Sequence, residues 1–123
     1  MSPDQDRRHR EALLRCEARY DRLKAEILDL GYVLQGSLVE RWMECGQAAC
    51  RCHRDPQARH GPYHQWSWKS RGRTLSVYLD PQQAARCGRW IRNHRRLELT
   101  LRGMRALSLR AARLYEIPTK SPP

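Results

Sequence analysis

Three cysteines within eight positions, Cys45, Cys50 and Cys52, constrain this chain more than any other feature. They lie in the stretch 36–64, GSLVERWMECGQAACRCHRDPQARHGPYH, with His53, His60 and His64. Zinc takes four soft or borderline ligands in a tetrahedron, usually thiolates with or without imidazole. Cys45-x4-Cys50-x-Cys52 supplies three, and His60, beyond a short polar loop, is the expected fourth. His53 and His64 compete with it. His53 adjoins Cys52 and would need an awkward local turn, whereas the direction of His64 depends on strand register. The one-residue gap between Cys50 and Cys52 is tighter than in a standard finger and would strain a disulfide between them. Reduced, buried cysteines are the bland alternative, but clustered cysteines in a reducing compartment are more often ligands. A closed Cys3His site would be structural, with no position open for water. Glu44 and Asp55 stand isolated, and no nucleophile–base–orienter set is visible, so the chain is expected not to be an enzyme.

A long helical pattern lies on each side of the cysteines. Ser2, Pro3 and Gln5 form a capping-box start. Leu13, Cys16, Tyr20, Leu23, Ile27 and Leu30 then recur at alternating spacings of three and four, which predicts a helix over 3–30 that Gly31 stops. Cys16 falls on the seam and is expected to be a buried apolar residue. Glu17, Asp21, Arg7, Arg15 and Arg22 lie off it, on a solvated face. Asp80, Pro81 and Gln83 repeat the start signal. The second seam, Trp90, His94, Leu97, Leu101, Met104, Leu107, Ala111 and Leu114, predicts a helix over 81–116. Between the helices, 38–44, 63–70 and 73–79 read as strands of a small antiparallel sheet, with turns at His60-Gly61-Pro62 and Arg71-Gly72. Leu75, Val77 and Leu79 fall on one face of a half-buried third strand. The expected fold class is α+β: one domain over 1–123, with an antiparallel helical hairpin, a zinc-knuckle and β head over 36–80 at its tip, and a disordered tail over 117–123. Pairing of the seams between chains, giving a homodimer, is the alternative.

Charge narrows the partner. The net charge is +11, and the mean hydropathy of -0.87 with no Phe is lean for a globule. Residues 1–30 balance, residues 31–80 carry three excess bases, and residues 81–123 carry eight, nearly all of the bases there being Arg. A localised Arg excess suits a polyanion, and DNA is favoured over RNA. Two surfaces qualify. Lys69, Arg71 and Arg73 cluster at the hairpin beside Trp66 and Trp68, which either stack on bases or pack in the core, the second being the usual fate of Trp. Arg86, Arg89, Arg92 and Arg96, with Asn93, share a face of the second helix and could track phosphates; ion pairing with Glu17, Asp21 and Asp29 is the competing role. No run of residues reaches membrane-span length, and the charged start has no signal-peptide core, so a cytoplasmic protein without a membrane partner is expected.

Gly36-Ser37-Leu38, Cys45-Gly46, Cys50-Arg51-Cys52 and His60-Gly61-Pro62-Tyr63, followed by a basic hairpin, resemble a family of short bacterial and archaeal proteins. That family is a domain of unknown function, sometimes labelled transposase-associated. The resemblance covers about residues 36–115 and implies a link to mobile elements. Relatives often carry an aromatic where this chain has His64, which keeps His64 open as a ligand.

Overall fold

The computed structural model of the protein describes residues 2–120. Helix α1 spans Pro3–Leu28, strand β1 Ser37–Met43, β2 His60–Ser70, β3 Arg73–Leu79, and helix α2 Pro81–Leu114. The fold class is α+β, as expected. The chain divides into two compact units, one of residues 1–31 with 95–123 and one of residues 32–94.

In the first unit, the Ser2 hydroxyl accepts from the Gln5 N–H and the Gln5 side chain accepts from the Ser2 N–H, the reciprocal cap read from the sequence. The stop is not at Gly31. α1 ends at Leu28 with Asp29 as its cap, because the last carbonyls are satisfied by tightening: the Asp29 N–H donates to Glu26 and Ile27, and the Leu30 N–H to Ile27. No left-handed residue is then needed. Cys16 is 5% exposed and Leu107 8%, so both seams face inward. Leu13, Cys16 and Tyr20 share a groove with Leu107, Ala111 and Tyr115, while a Cβ on Gly103 would meet Leu23. Rising numbers on α1 thus meet falling numbers on α2, an antiparallel pair. α2 ends with Glu116 at φ 61, the Glu116 N–H donating to Arg113 and the Ile117 N–H to Ala112. Of the expected tail, 117–120 is described, with Arg113 Nε donating to Thr119 Oγ1 at 3.4 Å, and 121–123 lies outside the described residues.

In the second unit the sheet order is β1-β2-β3, all antiparallel. Arg71 and Gly72 both have positive φ, the geometry of a two-residue hairpin turn that follows the strand twist. The segment His60-Gly61-Pro62 is not a separate turn. It opens β2, with His60 opposite Met43, Gly61 at φ 144 and a cis Gly61–Pro62 bond, and a bulge between Arg41 and Met43 absorbs the irregularity. Leu38 faces Trp66 and Trp66 faces Val77 across the strands. This side lies on α2: Leu38 and His64 line a cleft with Ala84 and Gly88, and Trp66, Val77 and Leu79 line another with Cys87 and Trp90. Ile91 and Ala84 are the buried anchors from the helix, and neither belongs to the predicted seam. β3 is more exposed than expected, with Leu75 and Val77 near 40%. β3 is an edge strand of the sheet, so its side chains border solvent on the outer flank.

The connector 32–36 is sewn to both elements. The Leu34 N–H donates to the Trp90 carbonyl, Asn93 Nδ2 donates to Tyr32 O, and Trp66 Nε1 donates to Gln35 O at 3.0 Å. Gly36 sits at φ 112, and a Cβ there would collide with the Ser67 backbone and come within 2.6 Å of Trp66 Nε1. Gly36→Ala should therefore destabilise the fold by more than about 2 kcal/mol, combining left-handed strain with a backbone clash. Gly72→Ala, with open space around it, should cost about 1 kcal/mol. Chemical denaturation of the two variants tests this ordering, and equal losses would contradict it.

Candidate metal centre

The centre is assembled by pairing and two short turns. The Met43–His60 pair brings the end of β1 to the start of β2, so Cys45 and His60 approach although the loop between them is long. The Cys50 N–H donates to Gln47 O, and a 3-10 turn over Arg51–His53 follows with Cys50 as its cap. That turn swings Cys50 and Cys52 back toward Cys45. A second 3-10 turn, Pro56–Ala58, is capped by the Asp55 carboxylate accepting from the Gln57 N–H and returns the chain to β2.

The donor atoms of Cys45, Cys50, Cys52 and His60 lie within 4.8 Å of one another. Cys52 Sγ is 3.7 Å from Cys45 Sγ, and Cys50 Sγ is 3.4 Å from His60 Nε2. The Cys45 N–H donates to Cys52 Sγ at 3.3 Å, the kind of contact that stabilises a thiolate. Cys52 is 2% exposed. The four residues form a group able to hold a metal ion, and they are the four read from the sequence.

The competing histidines point elsewhere. His53 Nδ1 pairs with Glu44 Oε2 at 3.0 Å, so the residues beside Cys52 and Cys45 clasp each other across the neck of the loop. His64 lies opposite Glu40 and Leu79 in the sheet and lines the cleft of about 630 Å³ that also holds Arg89 and Arg92. Glu44 and Asp55 are not isolated. Their partners, His53 and Arg51, lie nine and four residues away and meet them only because the loop folds back.

Thiol electrostatics differ within the group. Cys50 is lowered to about 6, first by the N–H of Cys52 donating to its sulfur and then by the His60 side chain. Burial pushes Cys52 up. A low-pKa thiol is a ready ligand at neutral pH, since only the thiolate binds metal.

The basic residues fall in three places. Lys69, Arg71 and Arg73 surround the β2–β3 turn, Arg86 lines the cleft beside Trp66, and Arg89 and Arg92 line the cleft beside His64. Arg96 follows on α2 but belongs to the unit of residues 95–123. The ion pairs of Arg7 and Arg8 with Asp4, of Arg51 with Asp55 and of His53 with Glu44 involve none of these seven bases. Asn93 is committed to Tyr32 and is not a free member of the arginine face. Trp66 and Trp68 stack on each other at 3.9 Å and are half-buried on the helix side of the sheet. Among the described residues, no helix is long and apolar enough to cross a membrane.

Fold and site together define a small α+β protein whose three-stranded sheet carries a candidate Cys3His metal centre at one end. The chain belongs to the domain of unknown function family DUF6788, whose family model matches residues 13–89. The match begins inside α1 and ends inside α2, earlier at both ends than the motifs had indicated. No curated protein and no solved structure matched the chain.

In the metal-free protein, one thiolate should form near pH 6. The sign follows from the lowered value: this thiolate's contribution to stability is present above the ordinary thiol range and is lost as pH falls through about 6. Thiolate absorbance during a pH titration checks it. Persistence of that step in Cys50→Ser would show that another cysteine carries it.

Proposed function

We propose that the protein is a zinc-stapled, non-enzymatic nucleic-acid-binding accessory factor, acting on DNA more than RNA. The zinc assignment is supported by distances. Zn–S of about 2.3 Å and Zn–N of about 2.0–2.1 Å at tetrahedral angles put two sulfurs about 3.8 Å apart and a sulfur and nitrogen about 3.6 Å apart. The separations of 3.7 Å and 3.4 Å fit such a tetrahedron. With four protein ligands the ion would be closed to substrate and would serve the fold.

The observation that carries the binding role is the set of basic side chains on α2 and at the hairpin. Arg89 and Arg92 on α2, Arg86 beside them, and Lys69, Arg71 and Arg73 at the hairpin take no part in the ion pairs of Asp4, Asp55 and Glu44. With a net charge of +11, such groups favour a polyanion and release its counterions on contact. Mobile-element DNA, suggested by the motif resemblance, is the setting in which this reading would place the protein.

Fluorescence anisotropy with a short labelled duplex tests the role. Affinity should fall at least tenfold between about 50 and about 200 mM salt. Arg89→Ala with Arg92→Ala should lower the salt slope by about two. Absence of binding at low salt would refute the reading. A second reading, self-association through the helices, is favoured by Leu14 and Leu99, which are 64% and 63% exposed on α1 and α2. Concentration-dependent mass without any DNA binding would favour it over the first.

A further inference from the structure

The sheet has a second side, opposite the one that lies on α2. The pairs Val39–Gln65, Arg41–Tyr63, Gln65–Tyr78 and Lys69–Thr74 place Arg41, Tyr63, Lys69 and Tyr78 together on it. Val39, Tyr63 and Tyr78 are 49%, 41% and 56% exposed there. Every acidic residue of the three strands is absent from this side, since Glu40 faces the helix cleft. The tyrosines are held in place. Their rings meet edge to face at 6.2 Å, and the Tyr78 hydroxyl donates to the Met43 sulfur. Arg41 is steadied by donating to Gln65 Oε1 at 2.9 Å.

From this arrangement we infer that the open face of the sheet binds single-stranded nucleic acid, stacking unpaired bases on Tyr63 and Tyr78 while Arg41 and Lys69 hold the backbone. The choice of occupant rests on the nucleic-acid reading above and on two further arguments. Aromatic rings lying on a sheet can reach a base face only when the base is out of a duplex. A second copy docking face to face would set Arg41 and Lys69 against their own counterparts, with no carboxylate on the surface to offset them. Stacking tolerates any base, so little sequence preference follows. The surface is separate from the arginines of α2, which grip phosphate irrespective of strandedness.

The test uses the full chain loaded with zinc, and anisotropy with labelled oligothymidylate and with a duplex of equal length. Tyr63→Ala and Tyr78→Ala should each weaken oligothymidylate binding about tenfold, leaving duplex affinity unchanged. Tyr78→Phe, which keeps the ring, should bind like the parent protein. Lys69→Glu, at an exposed position, should weaken oligothymidylate binding with the fold intact by circular dichroism. If the parent binds both probes and the tyrosine variants match it on oligothymidylate, this inference is overturned and the general reading survives. If the parent binds neither probe, both are overturned. Self-association abolished by Tyr78→Ala would also overturn it, because a second copy would then cover the face.

Discussion

The Met43–His60 pair draws four donor atoms together at the end of the sheet, and on the proposed reading the second unit would depend on a metal ion closing that end. Strands β1 and β2 are joined by a loop with only two 3-10 turns for internal order. Loop closure costs entropy, and this loop has one fully buried side chain, Cys52, to offset it. A metal ion joining Cys45, Cys50, Cys52 and His60 would supply the missing cohesion, and its binding free energy would become folding free energy. The clasp between Glu44 and His53 works in the same direction, since it joins the neighbours of Cys45 and Cys52 outside the ligand group.

With its end fixed, the sheet divides the chemistry of the unit between its two sides. The helix side collects the stacked Trp66 and Trp68, the buried Ile91 and the clefts where Arg89 and Arg92 meet His64. The open side collects tyrosines and bases. A pleated strand sends successive side chains to opposite sides, so β2 serves both from one run of residues. The tryptophans stack on each other on the helix side, whereas Tyr63 and Tyr78 stay exposed on the open side.

Much of this was legible in the sequence. Caps at Ser2 and Asp80, the two seams, the Arg71-Gly72 turn and the Cys3His group all rest on local spacing, and local spacing survives folding. What stayed hidden depends on contacts between distant residues. The pairing of Met43 with His60 turned an expected turn into the start of β2. Gly31 looked like a helix stop because glycine often is one, but Asp29 could close the helix by tightening its last turn. The partner of Glu44 follows from the folding back of the loop, the partner of Asn93 and the single-sided cover of the sheet follow from which side α2 takes, and no periodicity reports either. Alternation in β2 could have pointed to Tyr63 as well as to Trp66 and Trp68, but not to which of them would remain exposed.

The central claim is that a metal ion on the Cys3His group holds this unit together. Native mass spectrometry of the purified chain, before and after chelation, tests it most directly. The account predicts one zinc per chain, and a shift to the broad, highly charged envelope of an unfolded protein when zinc is removed. A chain that carries no metal, keeps its thiols free and holds the same compact charge distribution with chelator would contradict it.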